Sequence, residues 1–366
     1  TIILGGGLPS SLPEFSLRKT GADIAICGEA EFTIPYLMSA IAGNGALEDV
    51  AGLAFFRDGQ FVFTGKPNVA KQVTREEIGW PAWDLFPMER YITTPKTHPF
   101  NQRDRLMTIS TGRGCPFKCN FCYRIHEFRQ RPAEDVLDEM EYLIDRYKLD
   151  GFYFLDDLVM LNSEAVSALC EGIINRKLKI RYNISGRLNI VNPEIIKLLK
   201  ESGCLSIFYG IESGNQEILD KMGKRITLEQ IYKGVALTRE AGIFCEYGFM
   251  FGQPGENEET LNDTLNLIKN LSQGEFTLQG LFGCIPFPGT QLYEWCKQTG
   301  RIKDDEDFYN RYTRQDWFLD QLPVNMTDLS DEKANELFHR AKQELKQYYY
   351  ERIKTEWPKA FQKESV

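Results

Sequence analysis

Three of the nine cysteines stand together in the run Gly114-Cys115-Pro116-Phe117-Lys118-Cys119-Asn120-Phe121-Cys122, and the other six are scattered singly. In 366 residues with nine cysteines, three fall at one preset spacing by chance with a probability of roughly 0.5 %, so the cluster invites a metal reading. Two metals compete. Structural zinc takes four protein ligands, and the nearest fourth candidate, His126, stands at the wrong spacing for the common zinc patterns. A [4Fe–4S] cluster normally takes four thiolates. Three thiolates leave one iron without a protein ligand, and an open metal position is what a catalytic site needs. Iron–sulfur is therefore the favoured assignment.

Such a centre needs a scaffold. Hydrophobic residues make up 42% and charged residues 26%, which are ordinary globular values that exclude disorder, collagen and a heptad rod. A net charge of −9 does not favour a general phosphate-binding surface, so nucleic acid is not an expected partner. No run of about 18 apolar residues offers a membrane span. The opening TIILGGGLPSS has neither a basic n-region nor a long apolar h-region. With an odd number of mostly scattered cysteines, the expected location is cytoplasmic. The chain opens with Thr1 directly on an apolar run, which reads as part of a longer protein.

From Leu106 onward, strand patterns alternate with helix patterns. Strands are expected at 106–111, 151–155, 179–185, 205–209, 243–251 and 276–283. Helices are expected to begin near Pro132, Ser163, Asn192, Gln216 with Leu228, Glu256 and Gln291. The helix after Pro132 is the clearest, with Glu134 and Asp135 at its start and an apolar stripe of Val136, Met140, Leu143 and Ile144. Six such units imply a parallel sheet with helices outside, fewer than the eight of a closed barrel. The expected fold is α/β, a partly open (β/α)6 TIM-like barrel over 106–300. Before it, residues 1–75 hold two short β runs, a helix and a hairpin at Asp58-Gly59, and 76–105 reads as a linker on a surface. After it, 301–366 reads as a helical cap.

The cysteine run follows the first of those strands, on the face where such barrels carry their chemistry. Cys115-x-x-x-Cys119-x-x-Cys122, with Phe121 before the last cysteine, resembles the signature of the radical S-adenosylmethionine (SAM) superfamily. The resemblance implies that Cys115, Cys119 and Cys122 bind three irons of a [4Fe–4S] cluster and that SAM chelates the fourth. An electron from the cluster would then cleave a carbon–sulfur bond of SAM to give a 5′-deoxyadenosyl radical. The resemblance extends to the other strand ends. It implies that Asp156 receives the SAM amino group, that Glu212 contacts ribose or amino group, and that Phe121 packs beside adenine. Ser185-Gly186-Arg187 follows the third strand, where a guanidinium suits the SAM carboxylate. The glycine-bearing strand ending at Gly252 would let backbone lie against adenine. Each of these has a plainer alternative: helix capping by Asp156, a surface arginine, a loop aromatic, and turn chemistry at Gly255 with Glu256 in the first helical turn. The basic run Arg124, His126, Arg129 and Arg131 reads as a solvated turn, or as steering for an anion. Cys284 is the buried cysteine that would merit a second role.

Gly5-Gly6 after a strand, Gly28-Glu29-Ala30-Glu31 and Trp80-Pro81-Ala82-Trp83-Asp84 are similar, in this order, to the stretch that joins a cobalamin-binding domain to a radical SAM domain. This implies a partial Rossmann-like domain with Gly5 and Gly6 beside the cofactor. The cobalamin family's Asp-x-His-x-x-Gly motif is missing, and no histidine precedes His98. As given, residues 1–75 are not expected to enclose cobalamin fully. The expected activity is cobalamin-dependent methyl transfer or related radical chemistry on an unactivated carbon. Its substrate would be a small molecule or peptide and its reductant a protein such as flavodoxin or ferredoxin. The alternatives are a cobalamin-independent radical SAM oxidoreductase or methylthiotransferase, and a non-enzymatic zinc-binding scaffold.

Overall fold

The computed structural model describes residues 1–94, 99–124, 126–160, 162–272, 279–313 and 321–360. The N-terminal region is a four-stranded sheet, β1 (Ile3–Leu4), β2 (Ile24–Ile26), β3 (Leu53–Arg57) and β4 (Gln60–Phe63), in that spatial order. The β1–β2 pair is parallel, and α1 (Gly7–Ser11) and α2 (Pro13–Thr20) make the crossover between its strands. The β2–β3 and β3–β4 pairs are antiparallel. Asp58 and Gly59 both take positive φ, as a two-residue hairpin turn requires. One face of this sheet buries Leu37 of α3 (Thr33–Ile41) against Ile24, Leu53 and Phe55; the other buries Leu17 of α2 against Ala25 and Ala54. Ile34, Met38 and Ile41 of α3 stay exposed.

The segment 76–94 does more than connect. Its helix α5 (Met88–Ile92), which follows α4 (Arg75–Ile78), sends Met88 and Ile92 into the main core. The Trp83 indole donates to Glu139 at 3.0 Å. Residues 95–98 of the expected linker, including His98, lie outside the described residues.

The main sheet is wholly parallel. Its strands are β5 (Leu106–Ile109), β8 (Gly151–Phe154), β9 (Arg181–Gly186), β10 (Cys204–Glu212), β11 (Phe244–Phe251) and β12 (Gln279–Gly283), lying side by side in chain order. A two-stranded hairpin, β6 (Gly112–Arg113) with β7 (Arg129–Gln130), stands between the first two. Helices α6 (Ala133–Tyr147), α7 (Ser163–Asn175), α8 (Pro193–Glu201), α9 (Gln216–Lys221), α10 (Leu228–Glu240) and α11 (Glu258–Leu271) follow in alternation. Chain-order parallel pairing with helical crossovers is the open (β/α)6 barrel expected from the sequence.

Alternation along each strand sorts the two faces. Tyr182, Ile184, Ile207, Tyr209, Tyr247 and Phe249 point to the helices and are buried. Ser185, Phe208, Gly210, Glu212, Glu246 and Gly248 alternate with them and point to the concave face. The chain closes with α12 (Gln291–Gln298), α13 (Asp305–Tyr312) and α14 (Asp331–Ala360), whose Leu337, Phe338 and Ala341 join the main core. Strand positions 276–278 fall outside the described residues. Helix α11 starts two residues later than expected, at Glu258, because Asn257 makes the cap and a capping box with Thr260. Glu256 is left outside the helix as a fully buried side chain.

Candidate active site

The cysteine loop grows out of the β6–β7 hairpin at the C-terminal end of β5. Gly114 takes φ +68°, and a Cβ there would sit 2.6 Å from the His126 carbonyl oxygen, so only glycine lets the two arms close. Three backbone-directed bonds hold the far end of the loop. The Asn120 N–H donates to Met222 O at 3.0 Å, the Asn120 side-chain amide donates to Lys221 O at 3.1 Å, and Leu292 N–H donates to Asn120 O at 3.2 Å. Cys119 is buried, Cys115 half-buried and Cys122 exposed. Although Cys122 is exposed as a residue, the protein atoms crowding its sulfur displace water and push the thiol up to about 11, and charge on Cys119, Cys115 or Asp157 adds to the rise. Cys115 is raised the same way, with Arg187 opposing. Two thiols of the trio that resist ionising, Cys115 and Cys122, suit a cationic centre, which deprotonates its sulfur ligands outright. Among the described residues, no three His, Cys, Asp or Glu side chains converge as ligands of a single ion. The donor set fits three irons of a cluster.

The strand-end residues gather around this loop. Glu212 ends β10 at φ +75°, at a register shift between Gly210 and Glu212. Its carboxylate accepts from Lys224 Nζ at 2.8 Å, and both side chains are almost buried. Non-glycine residues with positive φ at a strand end are costly and gather at functional sites. Gly210 makes the room, because a Cβ there would collide with the Glu212 carboxylate. Lys224 escaped the sequence reading; its ammonium also stands 6.0 Å from the Phe121 ring centroid. Arg187 is buried; its guanidinium lies 3.7 Å from the Phe117 ring centroid and donates to Lys224 O. It props the cysteine loop from below. Phe121 packs at the edge of the buried cluster that contains Cys284 and Leu292.

Asp156 and Ser185 also turn to the protein. Asp156 Oδ1 accepts from Thr111 N–H at 2.7 Å, Gly112 N–H at 2.8 Å and Ser110 Oγ at 3.0 Å, which fixes the turn leading into the hairpin. Its Oδ2 is buried without a partner, and burial pushes the carboxyl up to about 6 despite these bonds. Ser185 Oγ donates to Asp156 O and accepts from Val159 N–H, both at 3.2 Å. The exposed neighbour Asp157 is the acid whose charge reaches Cys115 and Cys122. Gly252, at φ +115°, donates its N–H to Glu256 Oε2 at 2.7 Å, and Gln253 N–H does the same. Gln253 Nε2 meets Cys284 Sγ at 3.0 Å.

Three of the four members of the basic run are paired within the protein, while Arg124 stays exposed and donates to Phe117 O at 3.1 Å. Glu29, which is 6 % exposed, accepts from Arg113 at 2.5 Å, from Arg129, and pairs with His126 Nδ1 at 3.1 Å. Arg113 also binds Glu31. Arg131 bridges Asp135 and Glu139 of α6 at 2.6 and 2.7 Å. The Gly-Glu-Ala-Glu run thus clasps both arms of the hairpin. Tyr123, directly after Cys122, donates to Gly7 O at 2.9 Å, which places the Gly5-Gly6-Gly7 turn beside the cysteine loop. Gly5 and Gly6 face open space.

The family model "Radical SAM superfamily" matches residues 109–268. An uncharacterised methyltransferase of Pyrococcus horikoshii is 31% identical over 301 residues, covering 80% of this chain and 62% of that protein. The cytidylyl-2-hydroxyethylphosphonate methyltransferase of Streptomyces wedmorensis is 25% identical, covering 85% and 64%. Among solved structures, the cobalamin-dependent SAM radical enzyme OxsB with aqua-cobalamin and SAM bound superposes with a TM-score of 0.70 at 19% identity, covering 92% of this chain and 52% of that one. The chain thus spans less than two thirds of the length of these curated relatives. No described helix is long and apolar enough to cross a membrane.

Proposed function

This chain belongs to the radical SAM superfamily, and on that footing we propose that it carries the reductive SAM-cleaving centre of a cobalamin-using enzyme. The reaction class is methyl transfer, or related radical chemistry, on an unactivated carbon of a small molecule or peptide, in the cytoplasm, with electrons from a flavodoxin or ferredoxin. One observation carries the reading: three cysteines on one loop at the C-terminal end of the first barrel strand, with the Glu212–Lys224 pair at the end of the fourth.

A [4Fe–4S] cluster with SAM supplies one-electron cleavage of a carbon–sulfur bond. The chain's own residues bind and orient. Cys115, Cys119 and Cys122 take the cluster. Asp157, exposed and next to the sulfurs, suits the SAM ammonium better than Asp156, whose Oδ1 is spent on the Thr111–Gly112 amides. Lys224 suits the SAM carboxylate, since its ammonium lies between Glu212 and Phe121. Arg187 holds that lysine's backbone and the Phe117 ring in place. Phe121 and the Gly252 turn border the adenine side. Gly5 and Gly6 are the residues for a cobalamin edge, open to solvent and tied to the cysteine loop through Gly7 and Tyr123.

Anaerobic reconstitution followed by product analysis tests the proposal. The intact chain is expected to form 5′-deoxyadenosine from SAM, and each Cys→Ala variant to lose both its brown colour and that product. A colourless protein that retains one zinc per chain would support the scaffold reading instead. Dialysis of the full-length protein against hydroxocobalamin tests the second cofactor, with retention expected and its absence favouring the cobalamin-independent reading.

A further inference from the structure

A row of glycines crosses the concave face of the barrel. Gly210, Gly248 and Gly280 are register partners on β10, β11 and β12. Partners in a parallel sheet point their side-chain positions to the same face. All three therefore put no side chain of their own on the concave side, and at Gly210 the space is taken by the Glu212 carboxylate and the Lys224 ammonium. Glycine inside a strand costs roughly 0.5–1 kcal/mol relative to alanine, and its usual reason is close approach by a ligand or another backbone. Among the described residues, the atoms nearest a Cβ at each of the three belong to side chains and not to another backbone. Side chains of the same sheet fold onto it instead: a Cβ at Gly248 would meet the Phe208 ring at 2.9 Å, and one at Gly280 would collide with the Phe282 ring.

These two rings belong to the layers on either side of the row. Phe208 is the register partner of Ser185 and Glu246 below it, and Phe282 that of Met250 above it. They are 44% and 62% exposed, although the helix-facing aromatics of the same strands are buried. Glu246 sits beside Phe208, half-buried, with burial raising its carboxyl, and among the described residues it makes no hydrogen bond or ion pair. Two exposed aromatic rings over the glycine backbone at Gly248 and Gly280, and one acid with no partner among the described residues, form a site for a particular shape.

We propose that the glycine row seats a planar unsaturated ring of the substrate, held between Phe208 and Phe282, with an N–H or ammonium group of that substrate directed to Glu246. The proposal rests on the reading of the concave face as the substrate side of a radical SAM barrel, and it adds the substrate's shape and donor group. Aliphatic cages or bulky saturated rings would not lie flat on the row. The Phe208 and Phe282 rings swing aside between staggered rotamers, and stacking on them returns the contact they give up.

Calorimetric titration of the cluster-loaded chain with two amines tests it. Tryptamine offers a planar ring, an N–H and an ammonium; 2-cyclohexylethylamine carries the same charge on a puckered ring. Tryptamine should bind about tenfold more tightly. Gly280→Val, which fills the row, should remove that preference, and Phe282→Leu, at an exposed position that tolerates change, should weaken it several-fold. Glu246→Gln should weaken both amines. Equal affinities, no measurable binding of either amine, or full selectivity in Phe282→Leu and Gly280→Val would overturn the proposal. SAM cleavage by the unsubstituted chain without any amine tests the underlying reading separately. Its failure beside an intact tryptamine preference would remove the enzyme reading and leave the seat standing.

Discussion

Two buried glutamates show how one residue type is used in opposite ways around this loop. Glu29 sits where the N-terminal sheet meets the hairpin. Burial alone would raise its carboxyl, but Arg129 and Arg113 outweigh that and hold it below the usual range. Glu256 lies under the turn after β11, its carboxyl meets among the described residues only the amides of Gly252 and Gln253, and it is pushed up by burial to about 8. The first region is a charged clasp between two parts of the chain; the second is a neutral-leaning plug inside one part. A clasp made of charges fails when one member goes, whereas a plug fails when it gains a charge.

The largest effect should come from Glu29→Ala. It leaves Arg129 without its carboxylate in a largely buried site and Arg113 with Glu31 alone, and breaking such a buried pair costs about 3–5 kcal/mol. Thermal unfolding should show it as a fall of several degrees, together with poorer iron retention. An unchanged midpoint would mean that the clasp is only a surface contact.

The pH dependence comes next, and its sign differs between the two residues. Glu29, with a lowered carboxyl, contributes stability above its unfolded value of about 4.3 and loses it as pH falls further. Glu256, with a raised one, contributes stability below an ordinary carboxyl value and loses it as pH rises through about 8. The midpoint of the intact chain should therefore drop between pH 6 and 9. In Glu256→Gln the drop should be smaller, and an equal drop would assign the effect elsewhere.

A smaller loss is expected on the backbone-held side of the cysteine loop. Asn120→Ala removes one bond to Lys221 O, worth about 1 kcal/mol, and should loosen the loop without unfolding the barrel. The smallest is Arg18→Ala, which breaks an exposed helix pair with Glu14 at 2.8 Å and should cost no more than about 0.5 kcal/mol. A larger loss there would show that exposed pairs matter more in this protein than their screening allows.

Much of the barrel is written in local pattern. The stripe Val136, Met140 and Leu143 and the caps Asn162, Asn192 and Thr290 act within one turn of chain, so α6, α7, α8 and α12 begin where their residues say. The cysteine run is equally local. The contacts that hold it are not. Glu29 meets Arg113 across 84 residues and Tyr123 meets Gly7 across 116, and no spacing rule connects such pairs. Lys224 was missed for a related reason. In sequence it is one lysine in Met-Gly-Lys-Arg, and only the positive-φ end of β10 turns Glu212 toward it. Asp156 and Asp157 are adjacent and chemically identical, so the strand's last residues alone decide which accepts from the Thr111–Gly112 amides and which stays exposed with its charge acting on the cysteines.

The most direct test of the account is to weigh the metal and the product in one preparation: iron and zinc per chain after anaerobic reconstitution, and 5′-deoxyadenosine after adding SAM and dithionite. About four irons per chain are expected, with no stoichiometric zinc and with nucleoside release that depends on reductant. One tightly held zinc per chain with SAM left intact would contradict it.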